Sequence, residues 1–343
     1  MKILTKRNIE KYSKGIIKKT LKLKDDECSI QDAEEVTEQT YVNYIFRIKA
    51  FKPTVFYIRQ SRDHVKAKPE HKVDPKRISF EVRVLNLLNS IKPGVVPEVI
   101  TFDRRNNSIL LADIRGDKPL LVYELISGNA HPETGTYFGE VIATYHKNTI
   151  DIDHKKVRGS EKKNRDAVNF HMGMRLDPAI KLFKKETNAL LAVSKKALKC
   201  LVMGDLASKN IIVHGDKIRF LDLERAFKGD PAFDLAFLFC HYLIEIKPEK
   251  IEDSIQFIKK FMESYMNVMS NVMNYQQLKL FENRVLRFLG ITILYRLFGF
   301  YLVVHVKRNK NAWTKIAQKM LKDTRSTDLV GALKRYVSKR DIS

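Results

Sequence analysis

The 343-residue chain has little of what interrupts folded structure: 14 glycines, 10 prolines, one tryptophan and three cysteines. No Gly/Ser-rich, Pro-rich or repetitive stretch reads as a linker, so continuous folding is expected, and 44% hydrophobic content supplies a sizeable core. Cys28, Cys200 and Cys240 are widely separated and lack any CxxC or Cys/His ligand spacing. That argues against a zinc site and for a reducing compartment. Lysines run all through Met1 to Lys24 with no apolar stretch between them, which excludes a signal peptide and makes the cytoplasm the expected location. The most apolar segment, Phe288 to Val304, contains Arg296 and falls short of the ~20 residues a bilayer crossing needs. It reads as a buried helix, and no membrane span is expected.

Acidic residues are also scarce beside basic ones, 40 against 63, for a net charge of +23. Such a charge favours polyanions: nucleic acid, an anionic membrane surface or phosphorylated ligands. The basic residues are spread along the whole length, densest at His154 to Lys163 and Lys307 to Lys322, and are not interleaved with aromatics as in RNA-binding surfaces. A lysine-rich solvated surface is the plainer account, so nucleic acid is a possible partner that the charge alone does not favour.

The hydrophobic pattern predicts strands, one helix, strands, and then helices. Arg7 to Leu21 places Ile9, Tyr12, Ile16, Ile17 and Leu21 near helical spacing. Ile30 to Val36 reads as a strand, and Tyr41 to Ala50 with Thr54 to Gln60 as an antiparallel hairpin. A helix is expected over Pro75 to Ser90, then extended segments at Val95 to Phe102 and Ser108 to Ile114 around a turn at Arg104 to Asn107. From Thr136 onward the reading is helical apart from one β insert at Ile211 to Leu223. The expected fold class is therefore α+β, with a β-rich N-terminal lobe over 1–115 and a larger, mainly helical lobe over 116–343.

The chemistry clusters at that insert. The run Leu201-Val-Met-Gly-Asp205-Leu-Ala-Ser-Lys-Asn210 leads into a strand, and Asp222-Leu-Glu224 ends the strand that pairs back on it. A hairpin brings its ends together, so Asp205, Asn210 and Asp222 can converge on one point. Magnesium takes hard oxygen ligands of the kind Asp222 and Asn210 supply, while a carboxylate off the metal, Asp205, can align an acceptor hydroxyl. Taken singly, each has a plainer reading: Asp205 as a cap, Asn210 as a turn residue, Asp222 as a strand-end ion-pair partner. His214-Gly215-Asp216 repeats a similar triplet but has Leu221 five residues on, and reads as the hairpin turn. His146 and His171 show no metal spacing.

Met203 to Ala236, with Gly229-Asp-Pro231 and Asp234-Leu-Ala236, resembles the catalytic core of the aminoglycoside phosphotransferase and choline kinase superfamily, which has a protein-kinase-like two-lobe fold. Asn43-Tyr-Ile-Phe-Arg-Ile48, Tyr57-Ile-Arg-Gln60 and Val96-Pro-Glu-Val99 resemble the N-terminal lobe of methylthioribose kinases within it. The resemblance covers about Ala33 to Cys240. It implies an ATP-dependent phosphotransferase that acts with Mg2+ on a small-molecule hydroxyl acceptor: a sugar, amino alcohol or aminoglycoside-like compound. It casts Asp205 as the catalytic aspartate, Asn210 and Asp222 as metal ligands, Glu224 as a further ligand and Asp234 as a buried brace of the catalytic loop. Arg59 falls where the family meets the nucleotide phosphates, with Glu81 as its helix partner and Asn43 nearby in the same lobe. Leu110, Ala112 and Ile114 lie in the segment that looks like the adenine-binding hinge.

The chain departs from the family in having Met203 and Ala207 where histidines are common, and no glycine in the phosphate-loop segment Thr37 to Val42. Those departures motivate the alternative of a weak or inactive kinase-like nucleotide-binding protein. Arg59 and Glu81 could equally form a plain surface ion pair, Glu224 could pair with a neighbouring cation, and Lys209 reads as solvated. Asn164 to Asp177 and Tyr295 to Tyr301 are candidate acceptor-lining segments.

Overall fold

The computed structural model describes the chain except residues 39, 52–53, 154–160, 216, 300–308 and 338–343, with the backbone alone at 161–172, 174 and 214. It divides into two compact units, the first built on Met1–Gly116 and the second on Asp117–Asp153 and the residues from Arg165 on.

In the first unit, β1 (Asp32–Val36), β2 (Tyr44–Lys49) and β3 (Val55–Gln60) form an antiparallel meander. Two later strands, β6 (Val99–Asp103) and β7 (Ser108–Ala112), complete a five-stranded sheet in the order β1-β2-β3-β7-β6. Side chains alternate across the pleat, so one face carries Phe46, Ile48, Phe56, Ile58 and Leu110. Helix α1 (Ile9–Leu21) packs there through Ile9 and Ile17. The opposite face presents Ile45, Arg59 and Ile109, which are register partners. Helix α2 (Ile78–Ile91) covers that face, with Phe80, Val84, Leu85 and Leu88 buried.

The periodicity located these elements to within a few residues. The first turn of the helix expected from Pro75 is a 3-10 turn, Pro75–Arg77, capped by Asp74, whose Oδ1 accepts from Lys76 N at 3.0 Å. A hairpin not read from the sequence, β4 (His64–Val65) with β5 (Lys68–Lys72), lies between β3 and α2. Its sequence is charged and almost free of β-branched and aromatic residues, so nothing in it announces a strand.

The second unit opens with α3 (Leu121–Ser127), α4 (Gly135–Asn148) and, from Arg165 on, α5 (Glu161–Lys196), which runs through Pro178 and breaks at Phe183 (φ −143°, ψ 56°). Four short strands follow. β9 (Ile211–His214) and β10 (Lys217–Phe220) are the expected insert, and Gly215 in its turn takes φ +57°. β8 (Cys200–Val202) and β11 (Phe227–Gly229) pair on either side of it. Three-residue strands are too short to carry a readable period, so nothing in the sequence separates them from the surrounding helix and loop.

Helices α6 (Ala232–Ile244), α7 (Ile251–Met269), α8 (Tyr275–Phe298), α9 (Lys310–Lys322) and α10 (Leu329–Tyr336) complete the unit. All 13 residues of α6 are buried, as befits a helix apolar on every side. The apolar helix expected over Phe288 to Val304 is present as far as Phe298, Gly299 stands at its C-terminal cap, and residues 300–304 lie outside the described residues. No helix among them is long and apolar enough to cross a membrane.

Two glycines set the closest helix approach. A Cβ on Gly135 would lie 2.6 Å from Phe257 O, and one on Gly139 2.2 Å from Phe261 O, so α4 rests directly on the backbone of α7. Gly139→Ala should therefore lower stability by about 1–3 kcal/mol through forced separation of the two helices. Thermal unfolding of the purified variant checks this, and an unchanged midpoint would contradict the close packing.

Candidate active site

Asp205 lies in the loop between β8 and β9. Its backbone is fixed by the next helix in the chain. In the first turn of α6, Asp234 accepts from the N–H of Met203 through Oδ2 (2.7 Å) and from the N–H of Gly204 through Oδ1 (2.8 Å). Gly204 takes φ +78°, and a Cβ there would stand 2.2 Å from Arg225 O. Only glycine fits both the left-handed backbone and the space.

A buried histidine holds the brace in turn. His146 Nε2 lies 3.3 Å from Asp234 Oδ2 and its Nδ1 is 2.9 Å from the Tyr265 hydroxyl. The carboxylate can only accept, so Nε2 is the donor in that bond. The family's loop histidine is replaced by Met203, yet the bond at that position is made by main-chain N–H, which any residue except proline provides. Asp230 acts one turn earlier: Oδ1 accepts from Ala232 N (3.1 Å) at the start of α6, and Oδ2 accepts from Arg284 Nε (2.8 Å).

Asn210 closes the loop onto Asp205. Its Nδ2 donates to the Asp205 carbonyl (3.1 Å) and to Oδ2 of the Asp205 carboxylate (3.3 Å). The Asn210 carbonyl accepts from Leu221 N at 2.8 Å, which brings the end of β10, and with it Asp222, beside Asn210. Asp222 adopts φ +59°, a left-handed conformation that costs about 1 kcal/mol or more and that short polar side chains tolerate best. Arg225, just beyond, is in the field of Asp205, Glu224 and Asp222 together. The structure thus gathers Asp205, Asn210, Asp222 and Glu224 around one loop and hairpin.

Asp205 is buried, which opposes ionisation. Arg225, 3.7 Å from Oδ2, and Arg175, 2.8 Å from Oδ1, together with Lys209, outweigh that and hold its carboxyl well below the usual carboxylate range. Arg175 is a site residue that the sequence does not single out. It falls in the expected acceptor-lining segment Asn164 to Asp177, most of whose side chains are outside the description, and a lone arginine in a basic helix carries no distinguishing signal.

A second buried network lies beneath the same loop. Ser208 Oγ donates to Glu245 Oε2, and His241 Nδ1 donates to Glu245 Oε1 at 2.7 Å. Arg296 Nη2 stands 3.6 Å from the same Oε1. Burial favours the neutral form of both partners, lowering the His241 pKa below its ordinary value. For Glu245, His241, Ser208 and Arg296 reverse that effect, so its pKa is also lowered and the pair is neutral imidazole with carboxylate. Both Ser208 and His241 spend their donors on one carboxylate, which fits a loop anchor and not a nucleophile chain. Arg296, the interruption in the apolar run, was the available clue.

In the first unit, Arg59 Nη1 donates to Glu81 Oε1 at 2.5 Å, with side-chain exposures of 6% and 2%, so the pair is buried and not the surface pair considered above. Asn43, also buried, accepts from Arg77 Nη2 at 2.7 Å. Leu110 sits mid-strand between β3 and β6 with its side chain in the core, whereas Ala112 is the last residue of β7, its N–H bonded to Glu98 O at 3.0 Å, and Ile114 lies beyond it. Beside the glycine-free segment, Lys66 and Ala67 donate backbone N–H groups to Val42 O (3.1 Å) and Tyr41 O (2.9 Å), and Lys66 Nζ reaches Thr40 Oγ1 (3.2 Å). The unread hairpin is thus fastened along that loop.

A five-stranded antiparallel sheet with one helix, followed by a helical unit whose catalytic-type loop is braced by the first turn of a buried helix, defines a protein-kinase-like fold. Solved structures of the same fold include an ethanolamine kinase from Plasmodium vivax (TM-score 0.55, 12% identity, covering 96% of this chain and 86% of that one). A choline kinase from Cryptosporidium parvum gives TM-score 0.53 at 15% identity over 97% of both chains. Residues 37–256 match the phosphotransferase enzyme family (APH), and the chain belongs to that family. Its sequence is 22% identical over 282 residues to the 4-hydroxytryptamine kinase of Psilocybe cyanescens, spanning 68% of this chain and 74% of the relative. The protein is a small-molecule kinase.

Because the folded state holds His241 neutral, its contribution to stability is complete above about pH 6.5, the ordinary imidazole value, and declines as pH falls below it. The Glu245 contribution, also from a lowered pKa, is lost only below the ordinary carboxylate range. His241→Asn keeps a donor and removes the titration, so its unfolding free energy should vary less than that of the wild type between pH 6.5 and 5. Parallel pH profiles for the two proteins would rule His241 out as the source.

Proposed function

We propose that the chain transfers the γ-phosphoryl group of ATP to a hydroxyl of a small acceptor, with Asp205 aligning that hydroxyl. The observation carrying this reading is the loop geometry. An ionised, buried carboxylate has its backbone locked by Asp234, its Oδ2 carrying the Asn210 amide and Asp222 close behind. Phosphoryl transfer passes through a loose transition state that asks the protein mainly for positioning and charge stabilisation. A carboxylate held this strongly ionised is a weak base, well suited to accept a hydrogen bond from the acceptor O–H and take its proton late.

The donor set fits a hard divalent cation, which we assign as Mg2+. Asn210 spends Nδ2 on Asp205, turning its amide oxygen away from that carboxylate, and Asp222 and Glu224 add carboxylate oxygens. Nucleotide phosphates and water would complete the coordination of such an ion. Bound there, the cation would neutralise charge on the phosphate oxygens. Arg59, oriented by Glu81, is the candidate phosphate contact of the first unit, with Asn43 and the Ala112 to Ile114 backbone as further nucleotide contacts.

The named acceptors of the relatives, 4-hydroxytryptamine, ethanolamine and choline, each pair a hydroxyl with an amine or quaternary ammonium group. Amino alcohols therefore head the acceptor panel, followed by sugars and aminoglycosides. Coupled ATP turnover across that panel, with wild type, Asp205→Asn and Asp222→Ala, tests the mechanism. Both variants should lose on the order of 100-fold or more in kcat. Turnover that survives both substitutions would sink the assignment.

A further inference from the structure

Arg175 reaches the catalytic loop from α5, thirty residues earlier in the chain. Its Nη1 donates to the Gly204 carbonyl and its Nη2 to Asp205 Oδ1 at 2.8 Å. The guanidinium carbon lies 4.5 Å from the centre of the Phe237 ring and 5.6 Å from that of Phe233. One rigid planar group therefore spans the peptide and the side chain of consecutive loop residues while resting on the aromatic face of α6. A lysine, with a single point charge, cannot reproduce that geometry.

The two oxygens of Asp205 are consequently unequal. Oδ1 is held by a short charge-assisted bond. Among the described residues Oδ2 has the amide of Asn210 at 3.3 Å and Arg225 at 3.7 Å.

Stability gives a poor reason for this arrangement. The Arg175 side chain is 5% exposed, and its Nε has no hydrogen-bond partner among the described residues. A buried ion pair with a donor left over is commonly no more stable than an apolar side chain of similar size, and here two phenylalanine rings are ready to receive one.

We propose that Arg175 is a positioning residue for phosphoryl transfer: it fixes the Asp205 carboxylate through Oδ1 and so presents Oδ2 to the acceptor hydroxyl. This rests on the assignment of Asp205 to that hydroxyl. In this role Arg175 acts through Asp205, so its loss should lower turnover without weakening ATP binding.

The test compares wild type, Arg175→Met, Arg175→Lys, Asp205→Asn and the double variant Arg175→Met/Asp205→Asn. Phosphorylation of the strongest acceptor in the panel and Mg·ATP hydrolysis, with water as acceptor, are measured beside thermal unfolding. Arg175→Met should lower kcat on the order of 10- to 100-fold while KM for ATP stays within about twofold. Arg175→Lys, which can make one of the two contacts, should recover part of the loss. The double variant should be no slower than Asp205→Asn alone, because Arg175 has nothing left to position.

Wild-type kcat in Arg175→Met, or losses that multiply in the double variant, would overturn the inference. So would activity that returns fully on cooling in step with refolding, since that marks a purely structural role. If Arg175→Met does not fold, Arg175→Lys decides on the same readouts, and an unchanged kcat in it counts against the proposal. Wild-type turnover in Asp205→Asn would instead remove the Asp205 assignment, an outcome distinct from the others.

Discussion

Two hydrogen bonds that Asp234 accepts from consecutive backbone N–H groups are the constraint on which the second unit is organised. The carboxylate sits in the first turn of α6, where the helix dipole favours negative charge. From there it fixes Met203 and Gly204, and so sets the direction in which Asp205 leaves the chain. His146 and Tyr265 hold Asp234 from α4 and α7, so three helices contribute to one loop conformation. The network is entirely buried, where each hydrogen bond is stronger than at the surface and a missing partner costs more.

The loop is held at several points by unlike means. Asp234 holds its entry through main chain, Ser208 ties its middle to Glu245, and Asn210 folds its end back on Asp205. Arg175 and Arg225 then surround the carboxylate with positive charge. The result is an acid group kept ionised in a buried setting, where a carboxyl would otherwise be neutral.

Much of this fold was legible because hydrophobic period survives in long elements. The Val, Ile, Tyr and Phe content of Tyr41 to Ala50 and Thr54 to Gln60 announced a hairpin, and the spacing of Ile78, Val82, Leu85 and Leu88 announced α2, although it is Val84 and not Val82 that is buried there. What escaped was short or charged. Three-residue β8 and β11 have no room for a period, and β4–β5 is held by backbone bonds to Tyr41 and Val42 that leave no trace in side-chain chemistry. Within the site, Asp205, Asn210 and Asp222 were legible since a fixed spacing across a hairpin is a local pattern. Arg175 reaches the loop from α5, His241 and Glu245 from the end of α6, and Arg296 from α8. Their meaning depends on tertiary packing, and among 63 basic residues no single arginine stands out.

The distance along the chain between Met203 and Asp234, 31 residues, also has a meaning in time. Bonds between distant residues form only after the intervening chain has paid its closure entropy, whereas the β9–β10 hairpin inside that span needs only neighbouring residues. The hairpin can therefore form early, shortening the effective loop. The backbone geometry at Gly204 must await the docking of α6. Catalytic competence is then among the last properties this unit acquires as it folds, and among the first it loses when α6 loosens.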